Sequence, residues 1–157
     1  MTTPTMTEAP RLKLERYLQE HHVATLATAA GDAVWAAAVF YVSDGNTFYF
    51  LSSPTSRHCE NLARNPRVAL TVQEDYADWP AIKGVQLEGI ASEIVGQEAD
   101  LARSLYGQKF PVVGKIAQAP EAIVRAMSKV RWYTVVPSKL YFIDNSVGFG
   151  HRDEIAL

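Results

Sequence analysis

Between Val23 and Ser52 the chain is interrupted twice by turn residues, and the segments between are short and rich in Val, Thr, Phe and Tyr. Neither segment length nor residue type suits a helix. Val23 to Thr28 reads as a strand ended by Ala30-Gly31-Asp32, and Val34 to Val42 reads as a second strand. Asp44-Gly45 is a hairpin signal, because both residue types tolerate the backbone of a tight primed turn. Thr47 to Ser52 is the third strand. Three antiparallel strands so close in sequence form a meander, and the rest of the chain has to pack against it.

The flanking segments are read by the same rules. Leu12, Leu14, Tyr17 and Leu18 follow helical spacing within Pro10 to His22, with Pro10 suited to a first turn. Met1 to Ala9 is Thr-rich and polar and is expected to be a flexible end, ahead of one domain over residues 10–157. Thr55 to Arg64 is expected to be helical and to stop at Asn65-Pro66, since a residue before proline avoids the helical region. Arg67 to Gln73 and Lys83 to Val95 read as strands on either side of a loop holding Tyr76 and Trp79. Gly84 and Gly89 mark candidate bulges in the second of these strands. Glu98 to Tyr106 reads as a helix. Phe110 to Met127, cut by Pro111, Gly114 and Pro120, reads as short helical pieces. Arg131 to Val136 and Lys139 to Ile143 read as two last strands separated by Pro137-Ser138. Strands and helices do not alternate, so a doubly wound parallel sheet is disfavoured. The predicted class is mostly β (α+β), an antiparallel barrel with peripheral helices.

Composition narrows the function. At 157 residues the chain suits one domain with a real core. A net charge of −2 argues against a nucleic-acid groove or a basic membrane surface. No apolar run approaches the ~18 residues that span a bilayer. The single cysteine, Cys59, allows no internal disulfide and suits a reducing, cytoplasmic setting.

Chemistry concentrates where the third strand ends, in Ser52-Ser53-Pro54-Thr55-Ser56-Arg57-His58. Four hydroxyls and two basic side chains fall at a helix start, where unpaired N–H groups and the helix dipole favour an anion. One reading is a phosphate clamp for a nucleotide-like cofactor, with the Arg57 fork on two phosphate oxygens. The other is a capped helix with a solvated arginine. Elsewhere, adjacent His21 and His22 diverge by about 100° on a helix and make a poor shared metal site. No zinc spacing occurs, so no metal is expected. Cys59 beside Arg57 could be an activated thiol, but no orienting base can be placed for it. No catalytic residue is assigned from the sequence.

Taken in order, Val23–Thr28, Asp44-Gly45, Phe48–Ser53, Ser56-Arg57-His58 and Asn61–Leu70 resemble the FMN-binding split-barrel proteins related to pyridoxamine 5′-phosphate oxidase. The likeness covers roughly residues 10–95. Leu101-Ala102-Arg103, Phe110-Pro111-Val112 and the ending Asp144-Asn145 … Gly148-Phe149-Gly150 resemble a small bacterial branch of that superfamily. The resemblance implies a split-barrel homodimer with a flavin in each inter-subunit cleft and an oxidoreductase acting on a small substrate. It places the FMN phosphate on Ser52, Ser53, Thr55, Ser56, Arg57 and His58, with His58 standing where a lysine is common. It lays the flavin ring along Ala36, Ala37, Ala38 and Val39, whose small side chains either admit a flat ring or merely space a tight barrel. Gln86 is a candidate for a ring carbonyl or N3–H, or else a polar residue on a solvated face. Trp132, Phe149, His151 and Arg152 are candidates for contacts from the partner subunit. Alternatives within the same frame are haem or a deazaflavin in place of FMN, a non-enzymatic flavin carrier or sensor, and a dimeric scaffold with an empty cleft. Tyr76 and Trp79 are expected at the dimer interface rather than over the cofactor.

Overall fold

The computed structural model describes residues 8–115 and 118–157. The expected flexible end lies outside the described residues through residue 7, as does the middle of the Phe110–Met127 stretch at 116 and 117. The strands are β1 (Val23–Ala30), β2 (Ala33–Asp44), β3 (Thr47–Ser52), β4 (Arg67–Gln73), β5 (Lys83–Ile94), β6 (Arg131–Asp144) and β7 (Arg152–Glu154). The helices are α1 (Pro10–Glu20), α2 (Arg57–Arg64), α3 (Gly96–Lys109), α4 (Pro111–Gly114) and α5 (Glu121–Met127), and Trp79–Ala81 forms a 3₁₀ turn. Hydrogen bonding runs β3-β2-β1-β4-β5-β6-β7, and β3 also pairs with β6. That last pairing closes six antiparallel strands into a barrel, and the predicted class is correct.

Both predicted turns of the meander carry a glycine at positive φ, Gly31 at 59° and Gly45 at 57°. A side chain would strain either position. The last strand differs from expectation. Arg131–Val136 and Lys139–Ile143 are one continuous strand, β6, that passes straight through Pro137. The proline is tolerated because the β5–β6 register slips between Glu88 and Gly89, opposite it. Only a glycine fits there, since a Cβ on Gly89 would lie 3.0 Å from Pro137 Cα. Gly84 is different: its register with Gln73 and Ile143 is unbroken, so it marks a close approach of β4 rather than a bulge. A Cβ there would meet the Val72 carbonyl oxygen at 2.9 Å. The tail strand β7, absent from the sequence reading, pairs with the distal end of β6.

Inward-facing Leu26, Phe48, Phe50, Val72, Val85 and Phe142 fill the barrel. Helix α1 adds Leu14, Tyr17 and Leu18 to this core, and α2 adds Cys59 and Leu62. Helix α3 packs a second cluster onto the barrel exterior, with Ala102 and Tyr106 against Val42, Tyr49 and Trp132. Helix α1 ends at Glu20, two residues before its expected limit, because extended His21 is the C-cap. Its N–H and its ring Nδ1 (2.6 Å) both point at the Tyr17 carbonyl. No helix among the described residues is long and apolar enough to cross a membrane.

One exterior face has no helix over it. Register pairs Val34, Ala36 and Ala38 of β2 with Ala29, Ala27 and Thr25 of β1. Thr25 and Ala27 in turn meet Thr71 and Ala69 of β4, and these meet Gln86 and Glu88 of β5. Val34 is 79% exposed, Phe40 57% and Ile90 48%. An open platform of small residues rimmed by larger apolar ones is what remains.

Candidate cofactor site

The hydroxyl-rich turn leaves β3 at Ser52 and enters α2 through Ser56, the N-cap, whose Oγ accepts from the Cys59 N–H at 3.3 Å. The helix therefore starts at Arg57 and not at Thr55. Thr55 instead belongs to the turn, with its Oγ1 2.9 Å from Ser53 Oγ. The Ser56 hydroxyl donates to the Ser53 carbonyl at 2.7 Å, which draws the turn tight. The backbone N–H groups of Arg57 and His58 sit at the open end of α2 and find no acceptor among the described residues. Such orphan donors, with the serine hydroxyls around them, suit a phosphoryl group.

The two basic side chains go separate ways. Arg57 is exposed, and its guanidinium carbon lies 4.2 Å from the centroid of the Trp35 ring at the start of β2. That cation–π contact holds the fork beside the alanine-lined strand. His58 folds back over the turn, with Nε2 2.7 Å from Ser52 Oγ and 3.3 Å from Ser56 Oγ. Burial pushes its imidazole below the ordinary histidine range, so the neutral form is favoured. The pair expected from the sequence is thus one exposed cation and one half-buried neutral ring.

Along β2 the side chains of Ala36 and Ala38 point to the uncovered face, whereas Val39 faces the core. Ala37, half-buried, shares Val39's side of the strand. Only alternate members of the predicted ring-binding run therefore present their side chains to one surface. Gln86 lies on the same uncovered face, in the row Ala38–Thr25–Thr71–Gln86. Three strand spacings separate it from β2, about 14 Å. Trp35, which carries the Arg57 guanidinium, alternates with Ala36 and so points to the other side of β2 from the platform that holds Gln86.

The remaining candidates are resolved by burial. Trp132 is 8% exposed and packed edge-on against Tyr106 beneath α3. Phe149 is 82% exposed and lies 5.5 Å, centroid to centroid, from Trp79, itself 65% exposed. His151 bonds Asp153 at 2.9 Å, and Arg152 lies over Tyr141. Tyr76 is half-buried, with its hydroxyl 3.0 Å from that of Tyr17. Cys59 is 2% exposed, which leaves its thiol without the access a nucleophile needs. His21 engages Glu74 at 2.6 Å while His22 meets the Phe110 ring, so the adjacent histidines share no ligand. No cluster of three or more His, Cys, Asp or Glu side chains suited to a metal occurs among the described residues.

Two clefts flank this region. One of about 500 Å³ runs between α1 and the β4–β5 loop, and most of its charges are paired: Lys13 with Asp144 at 3.2 Å, His21 with Glu74, and Arg16 with Glu8. Another of about 450 Å³ lies behind α2, between Leu62, Pro66 and Tyr133. The Trp35–Arg57 pair and the open N-terminus of α2 made a site only by folding. The sequence carried a signal for the turn but none for Trp35.

The pyridoxamine 5′-phosphate oxidase family model matches residues 12–143. A UPF0306 protein of Photorhabdus laumondii is 33% identical over 141 residues, covering 88% of this chain and 90% of that protein. A heme binding protein from Mycobacterium smegmatis superposes with a TM-score of 0.73 at 21% identity, over 96% of this chain and 60% of that one. A FAD-binding protein from Mesorhizobium loti gives a TM-score of 0.62 at 19% identity, over 83% and 91%. At those identities the two structures establish a shared fold and nothing finer. A closed six-stranded barrel, a family match across most of its length and a relative at one-third identity lead to one assignment: this chain belongs to the pyridoxamine 5′-phosphate oxidase family of split-barrel proteins, among the UPF0306 proteins.

Proposed function

We propose that the chain binds FMN in a cleft formed with a second copy of itself, and that the bound flavin serves an oxidoreductase reaction on a small substrate. The observation that carries the reading is the donor set at the end of β3. Ser52, Ser53, Thr55 and Ser56 surround two free N–H groups, and Arg57 stands beside them over Trp35. The two N–H groups and the guanidinium suit the oxygens of a phosphate monoester in polarity. Next to it, the exposed half of β2 offers Ala36 and Ala38, against which a flat ring can lie without steric conflict. Family membership supports the same cofactor class, and the FAD-binding Mesorhizobium loti protein has the same fold.

The second copy follows from the uncovered platform. Exposed Val34, Phe40 and Ile90 around the alanine-bearing sheet face favour burial against another molecule. In a two-fold dimer Gln86 of one subunit can approach the Arg57 turn of the other, giving Gln86 a role from across the interface. A flavin supplies electron transfer when bound. The chain's own residues would anchor the phosphate, keep the ring flat along β2 and exclude water by dimer closure.

Absorption spectroscopy of the purified protein, with mass spectrometry of whatever co-purifies, tests the assignment. Flavin bands and the FMN mass are expected. A Soret band would replace FMN with haem, the ligand named for the Mycobacterium smegmatis protein. Anaerobic reduction of the flavin by NADH or NADPH would then separate an oxidoreductase from a carrier.

A further inference from the structure

His58 does not stand in the turn as a second free cation. Its Nε2 is held between two hydroxyls, Ser52 at 2.7 Å and Ser56 at 3.3 Å. The Ser56 hydrogen is already committed to the Ser53 carbonyl, and its oxygen also accepts from the Cys59 N–H. Toward the imidazole, Ser56 can therefore act only as an acceptor. With Nε2 unprotonated, the Ser52 hydrogen is the one available to satisfy it. The ring thereby takes a hydroxyl donor away from the turn's open side. With Nε2 protonated, the ring donates to both serine oxygens, and the Ser52 hydrogen is released to point at an incoming anion. For a neutral ring that carries its proton on Nδ1, the uptake of one proton at Nε2 thus adds a positive charge and frees a donor at the same place.

The surroundings decide which state the free protein adopts. Arg57 and Cys59 flank His58 on α2, and Glu60 lies exposed on the same turn. From β3, Phe50 presents its ring at 6.2 Å, with Tyr133 of β6 stacked behind it. Arg131 of β6 is registered opposite Ser52 and is paired with Glu93 at 3.1 Å. No carboxylate among the described residues bonds the imidazole, so no partner favours the charged ring until an anion arrives. Partial burial acts in the same direction.

We propose that His58 couples phosphate binding in this turn to the uptake of a proton, so that affinity for a phosphomonoester dianion rises as pH falls through the neutral range. The proposal rests on the reading that the turn grips the FMN phosphate. FMN affinity is to be measured by flavin fluorescence between about pH 8.5 and 6.5, above the second ionisation of a phosphate monoester near 6. Calorimetry in two buffers of different ionisation enthalpy counts the protons, and riboflavin, which lacks the phosphate, is the control. Affinity for FMN should increase toward lower pH, by at most about tenfold per unit for one coupled proton, with up to one proton taken up per FMN. Riboflavin binding should be flat. His58→Lys should bind FMN at pH 8.5 more tightly than wild type and with little pH dependence, and His58→Gln should be weak and flat. An NMR titration of the His58 ring, which needs no variant, should show protonation on adding FMN at pH 7.5. A wild-type affinity that is flat with pH, with no proton uptake and a ring that stays neutral, overturns the coupling. In that case, continued sensitivity to Arg57→Ala leaves the phosphate turn intact. Equal affinity for FMN and riboflavin together with indifference to Arg57→Ala overturns the turn itself, and absence of any FMN binding overturns both.

Discussion

Arg57 and Gly89 show how far one side chain can decide a local outcome. The Arg57 guanidinium rests on Trp35 and beside free helix N–H groups, so its removal should weaken FMN binding by about 1.5–3 kcal/mol, the scale of a charged hydrogen bond. Fluorescence titration of Arg57→Ala measures this, and an unchanged Kd would discard the clamp. Gly89 allows β6 to run through Pro137, and Gly89→Ala should cost about 1–3 kcal/mol in urea unfolding, because the added methyl meets backbone on the facing strand. Asp144 is legible only in three dimensions. Burial alone would raise its carboxyl, but the Ser146 hydroxyl and N–H and the Lys13 ammonium together hold it below the usual carboxylate range. Its folded pKa being depressed, its contribution is present above the unfolded value and is lost as pH falls into the acid range.

At the scale of elements, α1 is a plug and α2 a lid for the barrel, and each was visible in the sequence as a pattern without a destination. Leu18, 1% exposed, reaches the core from α1, so Leu18→Ala should destabilise by about 2–5 kcal/mol in denaturant melts. Lys109 at the end of α3 reinforces that helix: its Nζ donates to the Leu18 carbonyl at 2.9 Å and lies 4.0 Å from the centroid of the Tyr41 ring. Burial lowers its ammonium to about 8. The meander and its two glycine turns are legible in the local order of residues, since turn chemistry is local. Continuity of β6 was not, because Pro137 breaks a strand by every local rule and only the slipped register of β5 accommodates it. The His58 contact was equally hidden: adjacency to Arg57 suggests a basic pair, and the fold turns one member inward.

For the molecule as a whole, two behaviours follow from summed environments. Between pH 8 and the ordinary lysine value near 10.5, unfolded Lys109 binds more proton than folded Lys109, so stability should rise across that window. Above about pH 10 the buried phenols take over. Burial raises Tyr17, Tyr41 and Tyr133, and takes Tyr106 to about 12, so the folded state holds protons that the unfolded chain has lost and stability should fall. Melting temperature against pH should therefore pass through an alkaline maximum, and Lys109→Met should remove the rising limb. The uncovered platform makes a second demand: gel filtration should give a dimer, and Val34→Glu at its rim should give a monomer of similar melting temperature with weakened flavin binding. A wild-type monomer that binds FMN stoichiometrically would refute the shared cleft.

The three-stranded meander, the strands β4 and β5 and the hydroxyl-rich turn were determined by the sequence itself, because each depends on residues a few positions apart. The tertiary structure alone decided that Trp35 meets Arg57, that Trp132 is sealed beneath α3, that Gln86 stands three strands from β2, and that one sheet face is left bare. Those are relations between segments distant in the chain. Barrel closure sets them through register and shear, which no local pattern encodes.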